Sequence, residues 1–66
     1  MLEIIVNGTK EMTGAVNLAD YIRTRVDADE QFAVAVNESF VAKSNYVELQ
    51  LRNGDRIELV TPMAGG

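Results

Sequence analysis

Apolar and polar positions alternate from the first residues of this chain. Leu2, Ile4 and Val6 fall on one side and Glu3 and Ile5 on the other, which is the period of a β-strand. Asn7-Gly8 then supplies the two positive φ values of a tight turn, so the chain is predicted to open with a hairpin. The return strand, about Thr9 to Met12, is short and polar, and Gly14 ends it.

From Leu18 the apolar spacing widens to Leu18, Ile22 and Val26 with Tyr21 beside them, one face of a helix of about two to three turns. Asn17 is placed to cap its first turn, and Asp20 sits near the positive helix end. Arg23 and Arg25 are expected in the last turn, where cations suit the dipole, and Asp27-Ala28-Asp29-Glu30 reads as the exit loop. Phe32 to Val36 is a β-rich run stopped by an Asn37-Glu38-Ser39 turn, and Phe40-Val41 returns as a brief strand before the irregular Lys43 to Tyr46. Val47, Leu49 and Leu51 alternate up to Asn53-Gly54-Asp55, Ile57 and Leu59 take up the alternation again, and Pro62, lacking an N–H, ends the ladder.

Strands, one helix and more strands predict an α+β fold with a sheet packed on that helix. Such a sheet leaves its other face in water, and there Ile5, Ala35 and Val60 stand out of phase with the core positions. Single exposed apolar residues are ordinary in a small domain, and only their clustering would make a docking surface. Ile5 and Val60 are the candidate partner contacts of that face.

A chain of 66 residues makes one domain with a single thin core and no deep cleft. Its 47% hydrophobic and 24% charged content suits a folded soluble domain. No run approaches the ~20 apolar residues of a membrane span, and Met1 leads into Leu2 without a basic n-region, so a cytoplasmic protein off the membrane is expected. The absence of Cys fits a reducing compartment. Net charge is -4, with six basic residues scattered singly among acids, so nucleic acid is not an expected partner. The acidic surface would favour docking on a basic protein patch, although solubility explains the same charge.

With neither His nor Cys, the chain lacks the usual general base, the thiolate nucleophile and the commonest zinc ligands, so no intrinsic enzymatic activity is expected. Asp27, Asp29 and Glu30 lack the ligand pattern of a calcium loop and read as a solvated cluster. Gly8, Gly14 and Gly54 are isolated at turns, unlike a phosphate-cradling loop. What remains is the segment after Pro62: Met63-Ala64-Gly65-Gly66, expected to be extended and mobile. Two final glycines arise by chance in roughly one chain in 200, a weak signal alone. Their chemistry says more, because two residues without Cβ form a thread thin enough to enter a narrow channel and deliver the Gly66 carboxylate to a buried site. A carboxylate resists nucleophiles until its oxygen becomes a leaving group, which adenylation by ATP in a partner's Mg²⁺ site would achieve. Sulfide, an amine or a thiol could then attack. Without Cys, any sulfur carried covalently must sit there as a thiocarboxylate.

Val6-Asn7-Gly8, Ala35-Val36-Asn37, Phe40-Val41, Asn53-Gly54-Asp55-Arg56-Ile57-Glu58-Leu59-Val60 and Thr61-Pro62-Met63-Ala64-Gly65-Gly66 resemble the thiamine-pathway sulfur carriers, the ThiS family, over the whole chain. The tail is the most specific part, since the internal turns are shared by many ubiquitin-like domains. The resemblance implies a ubiquitin-like β-grasp fold, a mixed sheet on one helix, as a single sulfur-carrier domain 1–66 with a flexible tail 62–66. It implies that Gly66 is adenylated by an enzyme related to ubiquitin activators, thiolated from a cysteine-derived persulfide and used by thiazole synthase. ATP and Mg²⁺ would belong to the activating partner, with no cofactor bound by the chain. Gly66 would hold the sulfur and Gly65 the thin backbone, while Pro62, Met63 and Ala64 would line the way into both partners. One departure is the second hairpin turn, Asn37-Glu38-Ser39, where many members carry Asn-Gly-Glu. A sister carrier serving molybdopterin, usually longer, shares the fold and the Gly-Gly end. A protein modifier joined through Gly66 to lysines shares the adenylation. A plain interaction module, similar to ribosome-associated β-grasp domains, would not need Gly65-Gly66, and the acidic charge argues against RNA.

Overall fold

The computed structural model describes residues 1–27 and 29–61. Pro62, Met63, Ala64, Gly65 and Gly66, expected to form a flexible tail, lie outside the described residues, as does Ala28 of the expected loop.

The predicted first hairpin forms as β1 (Leu2–Val6) and β2 (Thr9–Thr13), joined by Asn7 and Gly8 at φ 49° and 85°. A short helix α1 (Leu18–Arg23) follows, then β3 (Ala33–Val36), the two-residue β4 (Ser39–Phe40), a 3₁₀ turn at Lys43–Asn45, and β5 (Arg56–Val60). The five strands make one mixed sheet in the order β2-β1-β5-β3-β4, with β1 and β5 parallel and the other neighbours antiparallel. With α1 on one face, this is the expected α+β arrangement of a β-grasp.

Period-two alternation sends Ile4 and Val6, Val34 and Val36, and Ile57 to the same face, where Leu18, Tyr21 and Ile22 of α1 close over them. Ile4, Leu18, Val34 and Ile57 are fully enclosed. Each such burial is worth roughly 1.5–3 kcal/mol, and in the absence of Cys it is this packing that holds the fold. Val41 and Leu51 seal the core from the loops.

The second hairpin turn keeps the geometry of the first despite its different sequence. Asn37 and Glu38 both take positive φ, 51° and 71°, so a non-glycine residue occupies the left-handed position. Asn17 caps α1 as expected, its Oδ1 accepting the Asp20 N–H at 2.8 Å.

Two elements differ from the sequence expectation. The helix stops at Thr24, and Val26 reaches the core from a further turn that donates its N–H to the Ile22 carbonyl at 2.9 Å. Arg25 is therefore past the helix, paired at 3.0 Å with Glu11 of β2. The alternation of Val47, Leu49 and Leu51 makes no strand. This segment folds back along the chain leading into α1, with Leu18 N–H on the Leu49 carbonyl at 2.9 Å and Leu51 N–H on the Val16 carbonyl at 3.0 Å. Leu49 and Leu51 thus pack against the core, while Val47 points outward, 66% exposed.

Candidate functional site

The tail singled out by its chemistry follows Thr61, so the described part of the site is the end of β5 and whatever fixes it. Along β5, Ile57 is buried, Leu59 is half-buried against the core, and Arg56, Glu58 and Val60 face outward. On one side Val60 lies opposite Ala33 and Leu59 opposite Val34 of β3. On the other, the parallel register with β1 comprises only Ile5 with Arg56 and Val6 with Ile57.

Side chains prolong that short ladder at both ends. Beyond Val6, the Asn7 N–H donates to the Ile57 carbonyl at 2.9 Å, and its side chain then takes both backbone groups of Leu59. Nδ2 donates to the Leu59 carbonyl at 3.1 Å, and Oδ1 accepts the Leu59 N–H at 2.9 Å. At the opposite end Asn53 Oδ1 accepts the Glu3 N–H at 2.9 Å, and the Gly54 N–H donates to the Glu3 carbonyl at 2.8 Å. From the β3 side, Asn37 Oδ1 accepts the Arg56 N–H at 3.0 Å and Nδ2 donates to Asp55 at 3.1 Å. Asp55 also accepts the Arg52 N–H at 2.9 Å, which shapes the turn into β5. Three turn asparagines thus tie β5 into the sheet, so that the chain reaches Thr61 from a fixed direction.

The structure places Ile5 and Val60 on the same outer face but apart. Ile5 stands opposite Arg56 on one side and Lys10 on the other, and Glu58 intervenes before Val60 on β5. Four residues of strand separate the rungs of Ile5 and Val60, roughly 13 Å. Val60, 61% exposed, has Ala33 for its neighbour, and Phe40, 73% exposed, lies opposite Ala35. The face is therefore charged around Ile5 and apolar toward Val60. Pro62, Met63, Ala64, Gly65 and Gly66 lie outside the described residues, so their arrangement is not part of this geometry.

On the helix side, Glu11 links β2 to α1. Its carboxylate accepts the Tyr21 hydroxyl at 2.9 Å and pairs with Arg25 at 3.0 Å. Burial first, and the hydrogen bond to Glu11 second, push the Tyr21 phenol up to about 12. An open groove of about 910 Å³ runs between α1 and the Lys43–Asn45 turn, floored by Phe32 and Tyr46 stacked at 5.9 Å. Burial raises the Tyr46 phenol as well. Among the described residues there is no cluster of side chains suited to a metal, and no helix is long and apolar enough to cross a membrane.

The asparagine ties were not found by sequence reasoning, which took Asn7, Asn37 and Asn53 as turn formers. The one signal available was that Val-Asn recurs at both hairpin turns, Val6-Asn7 and Val36-Asn37.

Comparison with known proteins agrees with this architecture. A family model described as the ThiS family matches residues 4–66. The crystal structure of a thiamine biosynthesis protein (ThiS) from Geobacter metallireducens superposes with a TM-score of 0.80, covering 98% of this chain and 100% of that one at 23% identity. That likeness shows the ubiquitin-like β-grasp fold. No curated protein matches the chain.

Proposed function

The chain belongs to the ThiS family, and from that premise we propose that it is a sulfur carrier of thiamine biosynthesis, a protein co-substrate whose reacting group is the Gly66 carboxylate. The observation that carries the reading is the reach of the family match, which runs from residue 4 through Gly66 and so takes in the whole Pro62–Gly66 segment. The composition supports it: with no Cys and no His, the chain has no other group suited to holding sulfur.

The chemistry takes place in two partners. In an adenylating enzyme of the ubiquitin-activator type, with ATP and Mg²⁺, a Gly66 carboxylate oxygen attacks the α-phosphorus and pyrophosphate leaves. A persulfide sulfur then attacks the acyl carbon and AMP leaves. A thiol of the partner cleaves the resulting acyl disulfide, which leaves a thiocarboxylate on Gly66 and a disulfide on the partner. Thiazole synthase consumes that sulfur. Gly65 keeps the thread thin, and Pro62, Met63 and Ala64 contact the walls of both channels, with Val60 and Ile5 at the docking face. Five residues span at most about 17 Å, so the partner's reactive centre must lie within that distance of Thr61. The anchoring of Leu59 by Asn7 fixes where this short reach begins.

The test is intact-mass spectrometry after incubation with host extract, a sulfur source and ATP, followed by a thiol-alkylating reagent. A single alkylation mapping to Gly66 is expected. Methionine oxidation mimics the mass of a sulfur-for-oxygen exchange but creates no alkylatable thiol. No alkylation in an extract that thiolates a known carrier would overturn the proposal, and high-mass conjugates dependent on Gly66 would point instead to a protein modifier.

A further inference from the structure

We propose that Asn7 is a site of spontaneous deamidation, and that its conversion to aspartate or isoaspartate loosens the end of β5. The chain holds two Asn-Gly pairs, Asn7-Gly8 and Asn53-Gly54. Asparagine is among the thermolabile residues. Before glycine, which has no side chain to obstruct the approach, the following backbone nitrogen can attack the amide carbon most freely. The two pairs have equal intrinsic chemistry, so the fold decides between them.

It treats their attacking nitrogens differently. The Gly54 N–H is bound to the Glu3 carbonyl at 2.8 Å, while the Glu3 N–H holds the Asn53 side chain at 2.9 Å, so nucleophile and amide are both tied to β1. The Gly8 N–H has no hydrogen-bond partner among the described residues, and Gly8 sits in open space at the tip of the hairpin. The Asn7 backbone N–H is held by the Ile57 carbonyl, and its side chain, which carries the reacting carbon, is held by its clasp on Leu59. That clasp lies beyond the last β1–β5 rung, Val6 with Ile57, where local opening is easiest.

Once Leu59 lets go, the Gly8 nitrogen gives up its proton to hydroxide and bonds to Asn7 Cγ. The Cγ–Nδ2 bond breaks and ammonia leaves, closing a succinimide. Water opens either carbonyl of that ring to give aspartate or isoaspartate. The balance is one water consumed and one ammonia released, with no oxidant or reductant. The product cannot restore the clasp: a carboxylate is an acceptor only, and it would stand against the Leu59 carbonyl that Nδ2 now serves at 3.1 Å. The modification therefore loosens the end of β5 on its β1 side while the β3 pairing of Leu59 and Val60 stays, and it acts whether or not the chain carries sulfur.

The native protein is held at mildly alkaline pH, with a urea-unfolded sample in parallel, and conversion at each asparagine is followed by peptide mass mapping. Comparable rates are expected in urea. In the native protein Asn7 should lead Asn53: each site must release two hydrogen bonds, but only at Asn53 does one of them hold the attacking nitrogen. Equal rates or the reverse order in the native protein would overturn the assignment. Amide hydrogen exchange on Asn7→Asp reads the consequence. Faster exchange at Leu59 than in the unmodified protein is expected, and unchanged exchange there would overturn the loosening.

Discussion

Asn7 and Leu59, 52 positions apart, are joined as two strand residues would be, with the side-chain amide of one replacing a peptide group against the backbone of the other. The arrangement gives β5 a further rung on the β1 side without a further residue in β1. Its strength can be isolated by Asn7→Gly, which keeps the positive φ of the turn while removing the amide. A loss of about 1–3 kcal/mol in denaturant unfolding is expected for the two bonds, with amide exchange accelerated at Leu59. Unchanged exchange at Leu59 would mean that the clasp contributes nothing in solution.

Glu38 occupies a left-handed conformation at φ 71° that costs a non-glycine residue roughly 1 kcal/mol. The side chain recovers little of this, since its 3.5 Å contact with Arg56 joins two exposed groups. Glu38→Gly should therefore raise stability by about 0.5–1 kcal/mol, less the added freedom of the unfolded chain. A drop in the denaturation midpoint would contradict a type I′ turn at this position.

The raised Tyr21 phenol makes stability depend on alkali. The folded group titrates near 12 and the unfolded one near 10, so the folded state holds the proton more tightly. The contribution is intact below pH 10, is lost as pH climbs from 10 toward 12, and is level beyond that. In Tyr21→Phe this slope should shrink to what the raised Tyr46 phenol contributes, with the Glu11–Arg25 pair left in place. An undiminished slope in the variant would assign it to groups other than Tyr21.

Ile57 and Leu59 share the inner face of β5, but Ile57 is 1% exposed while Leu59 is half-buried. Ile57→Ala should cost about 2–5 kcal/mol, and Leu59→Ala distinctly less, since a half-exposed site leaves no closed cavity. Equal losses in thermal or urea unfolding would contradict this strand end.

At the tail, Gly66→Ala adds a methyl group beside the reacting carboxylate, and it should sharply reduce the alkylation yield in the thiolation assay. Core residues run from Ile4 to Ile57, so the melting temperature should not move. Normal thiolation of the variant would argue against a narrow channel.

Much of this fold was legible because its signals are local. Alternation gave β1 and β5, Asn-Gly gave the first turn, and Asn17 gave the start of α1, each within a few residues. The helix end was misjudged because Val26 keeps the helical spacing while reaching the core from a turn. The alternation of Val47, Leu49 and Leu51 imitated a strand because a loop lying across a core also buries every second residue. The ties at Asn7 and Asn53 were invisible: a positive φ already accounts for an asparagine at a turn, and their partners lie 52 and 50 positions away. For the site, residue types and family resemblance pointed to Gly66, whereas the isolation of Ile5 from Val60 by Arg56 and Glu58 depends on register, which alternation alone does not set.

The place of β5 in the sheet bears on how the molecule comes into being. The β1–β2 hairpin and the β3–β4 hairpin have no rung in common, and each is zipped only to β5. During synthesis the sheet cannot close until residues 56–60 have left the ribosome and can slot between the two hairpins. A chain cut short before Arg56 has no strand between its two hairpins, only the shared packing on α1, and Asn7 has no Leu59 to hold. The segment that follows Thr61 is thus presented from a firm base only by molecules whose sheet has already closed, so completion of the fold acts as a licence for the end that follows it.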